Sequence, residues 1–113
     1  MQIEYSELGS GIRLIKLIGA LDIIGVNDIE IKFTGYCAGD GVRVLVDLSD
    51  VDFLASIGIR LLTTNAKSLL SHGGRMVLLN PTSSVREVLD LTGIPDIIPM
   101  YEQLESAEAV LLA

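Results

Sequence analysis

The feature that most constrains this chain is a change of hydrophobic period between Arg43 and Leu70. Val42, Val44, Leu45, Val46 and Leu48 make a short, nearly continuous apolar run rich in valine, the pattern of a strand buried on both faces. The group Ser49-Asp50-Val51-Asp52 reads as a polar turn, and Phe53-Leu54-Ala55 as a brief apolar segment leading to Ser56. From there Gly58, Leu61, Leu62, Asn65, Ala66 and Leu69 recur at helical spacing and mark one helix face. Ser56 therefore stands where a strand hands over to a helix N-terminus. A hydroxyl there is held by rigid elements yet faces solvent, which suits a reactive or regulated group. The competing reading is an N-cap, whose oxygen accepts a first-turn N–H and contributes about 1 kcal/mol.

The flanking segments set the fold class. Gln2 to Leu8 alternates loosely, Gly9-Ser10-Gly11 signals a turn, and Ile12 to Ile18 reads as the return strand of a hairpin. Gly19-Ala20-Leu21-Asp22 ends that strand. Val26 to Cys37 fits either period, and the need for a crossover between parallel strands favours helix. After the central strand and long helix, Ser71-His72-Gly73-Gly74 supplies a glycine stop. Arg75 to Leu79 is the next buried strand. Ser84-Val85-Arg86-Glu87 fits a capping box opening a helix, with Val85, Val88, Leu89 and Thr92 inward. A short edge strand is expected at Ile97 to Met100, where Pro99 disfavours a central place. Leu104 to Leu112 closes the chain as a helix, with Leu104, Ala107, Val110 and Leu111 inward. Two strands followed by helix–strand alternation imply an α/β fold with a mainly parallel sheet. The expectation is one domain over residues 1–113, with four or five strands, an antiparallel N-terminal hairpin and about four helices.

The sequence from Asp47 to Ile59, Asp-Leu-Ser-Asp-Val-Asp-Phe-Leu-Ala-Ser-Ile-Gly-Ile, resembles the signature of STAS domains, the anti-sigma factor antagonists of bacteria. Their pattern is a hydrophobic strand, then Asp-Ser-(Ser/Thr)-Gly-Leu at the start of a helix. Ser56 matches the phosphoacceptor serine, Gly58 the glycine and Ile59 the aliphatic residue after it. Ala55 stands in place of the aspartate and Ile57 in place of the second hydroxyl residue. Gly19-Ala20-Leu21-Asp22 resembles the family's Gly-Glu-Leu-Asp, so Asp22 is carried over as a partner-contacting residue beside the phosphoacceptor loop. Its alternative role is a cap or turn carboxylate. Asn80-Pro81, the helix after it, and Leu91-Thr92-Gly93-Ile94 extend the likeness over most of the chain.

The resemblance implies a partner-switching role without catalysis. The partners implied are an anti-sigma factor serine kinase of the GHKL type and a PP2C-like phosphatase that reverses the mark. Unphosphorylated, such a protein binds the anti-sigma factor and frees the sigma factor. Ile57, Gly58, Ile59 and Arg60, beside Ser56, are expected at the contact with Asp22. Phosphorylation adds about −1.5 to −2 charges, which a helix N-terminus favours by about 0.3–1 kcal/mol. The modification should therefore leave the fold intact and act on a docked partner.

Composition narrows the alternatives. A formal charge of −7 argues against nucleic acid and anionic membranes as partners. Charges such as Lys16, Asp22 and Asp28 interrupt every apolar run, and the start Met-Gln-Ile-Glu lacks signal-peptide character. One cysteine, Cys37, sits in apolar company and fits a buried thiol in a reducing cytoplasm. No Walker loop, Cys/His metal spacing or Gly-x-Ser-x-Gly elbow is present, so neither an enzyme nor a cofactor is expected. The one histidine, His72, is sixteen residues from Ser56, roughly 24 Å along a continuous helix. Three other readings compete. A STAS scaffold would keep the fold and drop the phosphoryl switch. A receiver domain would use Asp47, but lacks the acidic pair near Ile18 and a lysine beyond Lys67. A small α/β enzyme would need a pocket with convergent titratable groups.

Overall fold

In the computed structural model, which describes residues 1–113, five strands form one sheet in the order β1-β2-β3-β4-β5. β1 (Gln2–Glu7) and β2 (Arg13–Leu21) are antiparallel, joined by the glycine turn. β3 (Arg43–Leu54), β4 (Arg75–Leu79) and β5 (Met100–Tyr101) all run parallel to β2. Helix α1 (Ile23–Tyr36) crosses from β2 to β3, α2 (Ser56–Ser71) from β3 to β4, and α3 (Ser83–Leu91) leads to β5. Helix α4 (Leu104–Leu112) ends the chain.

The sheet separates two apolar layers. On one face α1, α2 and α3 contribute Val26, Ile29, Phe33, Leu62, Leu69, Val85 and Leu89, packed with Val44, Val46 and Leu48 of β3. On the other, Ala107 and Leu111 of α4 cover Ile12, Leu45, Val77 and Leu79. Covering both faces explains the unbroken apolar run in β3, since Val44 and Leu45 point into different layers and both are fully buried. The six residues expected on the inner face of α2 are the six it buries. Asn65 is the one buried polar residue, and its amide donates to the Leu61 carbonyl one turn back at 2.9 Å. Cys37 is a free, buried thiol, its pKa pushed up to about 12 by desolvation.

Four local expectations are corrected. Ser49 to Asp52 is not a turn: β3 continues through it to Leu54, paired with β2 as far as Leu21↔Leu54. Two register shifts fall there, with Lys16↔Asp47 followed by Ile18↔Asp50, then Gly19↔Val51 by Ala20↔Phe53. At each, β3 advances one residue more than β2, and such bulges break the inside–outside alternation. The cap of α3 is Thr82, which accepts from the Val85 amide, so the helix begins before the expected capping box at Ser84. Ile97 and Ile98 follow a 3-10 turn at Ile94–Asp96, and the edge strand starts only at Met100. The Pro99 carbonyl accepts from Leu78 at 2.9 Å, a bond needing no proline N–H. Leu104, expected inward, opens α4 and is exposed, as is Thr92 at the end of α3.

Candidate functional site

The site lies at the carboxyl edge of the sheet, where β2 and β3 deliver their chains to α1 and α2. The two handovers are tied together: the amide of Ala55 donates to the carbonyl of Leu21 at 3.0 Å. Asp22, Ile23 and Ile24 therefore emerge beside Phe53, Ala55 and Ser56. Open α/β sheets place functional groups at this edge because side chains from several rigid elements converge there.

Two glycines permit the close approach. A Cβ on Gly58 would stand 2.8 Å from the Leu21 carbonyl oxygen and 2.9 Å from Leu54 Cδ1. A Cβ on Gly25 would collide with the Ala20 carbonyl oxygen. The first turns of α2 and α1 thus rest directly on the strand ends. Gly58, expected at the contact, is buried, and it sets the height of the helix against the strand end.

The helix starts differ in chemistry. Asp22 is the N-cap of α1, its carboxylate accepting from the Gly25 amide at 2.8 Å. At α2 the N-cap is Ala55, in extended conformation and with no side-chain hydrogen bond. The competing reading of Ser56 as the N-cap is corrected. Ser56 is the first helical residue and its side chain projects to solvent. Side-chain hydrogen bonds nearby join Asp47 to the Ser49 amide and Thr63 to the Ile59 and Arg60 carbonyls; none engages Ser56. Its hydroxyl is free and unburdened by a structural role.

Around this hydroxyl the surface is mixed. Ile57 and Ile59 are half-buried against the core, while Arg60 is exposed. Ile23 and Ile24, which open α1, are 63% and 69% exposed, and Phe53, near the end of β3, is 54% exposed. These three were not singled out in the sequence. Helical spacing begins at Val26 and gives Ile23-Ile24 no assignment, and Phe53 reads as part of a brief apolar segment. The signal available was the isoleucine pair itself, which immediately follows a capping aspartate.

Helix α2 is continuous, and His72 lies at its far end, where its Nδ1 is 2.8 Å from the Ser68 carbonyl. The depression beside Ser56 is lined by Ser56, Ile57 and Arg60. No helix is long and apolar enough to cross a membrane.

A strand–serine–glycine helix start, on a mixed sheet with this order, matches a known domain. The STAS domain family model covers residues 7–107. The chain belongs to the STAS domain family. BtrV of Bordetella bronchiseptica, assigned provisionally as an anti-sigma factor antagonist, is 28% identical over 99 residues, spanning 88% of this chain and 85% of BtrV. An anti-sigma factor antagonist from Mycobacterium paratuberculosis superposes with a TM-score of 0.87 at 22% identity, covering 99% of this chain and 94% of that one. SpoIIAA of Bacillus, solved in its phosphorylated form, superposes with a TM-score of 0.71 at 23% identity, over 96% and 99% of the two chains. The STAS fold expected from the sequence, with its mainly parallel sheet, N-terminal hairpin and four helices, is the fold observed.

Proposed function

We propose that this STAS domain is an anti-sigma factor antagonist that acts as a phosphorylation-controlled binding module, with Ser56 as the switch. The single observation that carries this reading is the position of Ser56. It is the exposed first residue of α2, released from capping by Ala55, on the sheet edge where the exposed residues Ile23, Ile24 and Phe53 also emerge. Exposed apolar side chains on the same edge as a modifiable hydroxyl suit a partner that docks when the hydroxyl is bare. Asp22, Ile57, Ile59 and Arg60 belong to the same contact.

The partner is an anti-sigma factor of the GHKL serine-kinase type, which also modifies Ser56. The hydroxyl oxygen bonds the γ-phosphorus of ATP as the bond from that phosphorus to the β-phosphate oxygen breaks. ADP leaves, and the serine proton passes to a base on the kinase. A PP2C-like phosphatase restores the hydroxyl by hydrolysis, releasing inorganic phosphate. The added charge of about −1.5 to −2 costs little at a helix N-terminus in water. Buried under a partner, it must be desolvated, and a few kcal/mol there lowers affinity more than a hundredfold. Acting in the bacterial cytoplasm, the domain supplies no catalysis of its own.

Intact-mass spectrometry after incubation with the candidate kinase and Mg-ATP, beside a Ser56→Ala control, tests the reading. One phosphoryl gain on the wild type, absent in the variant, is expected. An active kinase that binds the domain yet leaves it unmodified would overturn the switch and leave a constitutive STAS scaffold.

A further inference from the structure

Arg60 borders two adjoining depressions. One, of about 230 Å³, is lined by Ser56, Ile57 and Arg60 alone. The other, of about 400 Å³, runs between α1 and α2, where Arg60 shares the wall with Glu30, Thr34 and Asn65. Glu30 is the only carboxylate on either wall. The ion pairs of the domain join the Met1 amino group to Asp28, Lys16 to Asp50 and Arg86 to Glu102. Arg60 takes part in none of them. An exposed guanidinium without a partner thus sits between a carboxylate on one side and a bare hydroxyl on the other.

Helix geometry favours the hydroxyl side once it is charged. Ser56 and Arg60 are four residues apart in one continuous helix, so they are neighbours on its surface. With the anion N-terminal to the cation, the pair has the more favourable order for an i, i+4 contact. The planar fork of arginine matches two phosphate oxygens at once.

We propose that Arg60 is the intramolecular receptor for a phosphoryl group on Ser56. The guanidinium turns from the Glu30 side of the groove toward the phosphate and is held there. This rests on the reading of Ser56 as the modification site and adds how the mark is read. Phosphorylation then does two things to the docking surface. It adds a dianion, and it withdraws from an acidic group on the partner the free cation beside Ser56. An acidic partner group at this position would be repelled by the first change and unpaired by the second.

The test uses full-length protein with phosphoserine installed at position 56 during translation, so it needs no kinase and survives failure of the kinase assignment. The second pKa of the phosphate is followed by phosphorus NMR in the wild type, Arg60→Ala, Arg60→Lys and Lys67→Ala. Lys67 lies three turns along α2 and serves as a charge-matched control. The wild-type value should lie below that of Arg60→Ala by roughly half a unit, because a nearby cation favours the dianion. Arg60→Lys should fall between them, Lys67→Ala should match the wild type, and the gap should narrow in about 0.5 M salt. Equal values for wild type and Arg60→Ala would overturn the proposal, as would an equal effect of Lys67→Ala. In either case a phosphoserine that still blocks partner binding leaves the switch at Ser56 standing.

Discussion

Gly58 on α2 meets Leu21 at the end of β2 so closely that a Cβ would lie 2.8 Å from the Leu21 carbonyl oxygen and 2.9 Å from the Leu21 Cβ. Those neighbours are fixed, since the same carbonyl accepts from the Ala55 amide. Gly58→Ala gains up to about 1 kcal/mol in helix propensity, but overpacking against rigid atoms costs about 1–3 kcal/mol. A net loss of stability is expected, with a larger loss for Gly25→Ala, which would collide with the Ala20 carbonyl. Gly35, also helical, has no atom within 4 Å of a would-be Cβ. Gly35→Ala should therefore stabilise by about 0.5–1 kcal/mol. Urea unfolding of the three variants gives the signs directly, and a stabilised Gly58→Ala would refute the close-packing account.

The two helix starts at the site should respond oppositely to capping changes. Removing the Asp22 carboxylate with Asp22→Ala should cost about 0.5–2 kcal/mol, because the Gly25 amide loses its acceptor. Ser56→Ala should change stability by less than about 0.5 kcal/mol, since the serine caps nothing. Ala55→Asp should stabilise by about 1 kcal/mol, as Ala55 already holds the extended N-cap backbone and lacks only the acceptor. Thermal unfolding near neutral pH measures all three. A loss of about 1 kcal/mol in Ser56→Ala would return the serine to a structural role.

How much of this was legible in the sequence depends on which period each segment obeys. The inner face of α2 and the apolar run of β3 were readable because tertiary packing and local pattern agree there. The far half of β3 was not, for a topological reason. Beyond Asp47, β3 has no β4 partner, since that pairing ends at Asp47↔Leu79. The strand continues on β2 alone, with no strand on its other flank, so it can carry Ser49, Asp50 and Asp52 and imitate a turn. Lys16 on β2 pairs with Asp50 at 3.0 Å across this stretch, and that hydrogen bond, with the Asp50 charge, raises the lysine pKa. At the site, Ser56 and Asp22 were named from their motifs, and Arg60 from its place beside Ser56. The exposure of Ile23, Ile24 and Phe53 was not legible, because the two segments that carry them are far apart in sequence and reach one edge through the β2–β3 pairing and the Leu21–Ala55 hydrogen bond.

Helix α3 is capped by Thr82 and not by the Ser84 capping box that the sequence predicts. Thr82 accepts from the Val85 amide, and its hydroxyl lies 3.3 Å from the Val51 carbonyl, to which it donates. One side chain thus caps α3 and fastens it to the extended half of β3. Thr82→Ala should cost about 1–2 kcal/mol, and Ser84→Ala, on the exposed first turn, less than about 0.5 kcal/mol. Denaturant midpoints of the two variants settle the order; the reverse order would restore the Ser84 capping box.

Cys37 offers a readout of folding that is independent of the switch. It lies at the end of α1 beneath Arg13, whose guanidinium donates to the Tyr36 and Ala38 carbonyls on either side of it. Burial raises the thiol pKa from 9.0 to about 12, and the Arg13 charge offsets only part of that rise. Because the thiolate is the reactive form, a disulfide reagent at pH 8 should label Cys37 at the rate of unfolding, and at once in denaturant. The linkage follows the same sign. The folded state keeps the proton to a higher pH than the unfolded state does, so this contribution is constant below about pH 9 and declines between about pH 9 and 12, by up to about 1.4 kcal/mol per unit. Lysines and tyrosines also titrate there, so the measured quantity is the stability difference between wild type and Cys37→Ala across that window. A difference that stays flat from pH 8 to 11 would mean that the thiol ionises as easily folded as unfolded, and that the layer under α1 admits water.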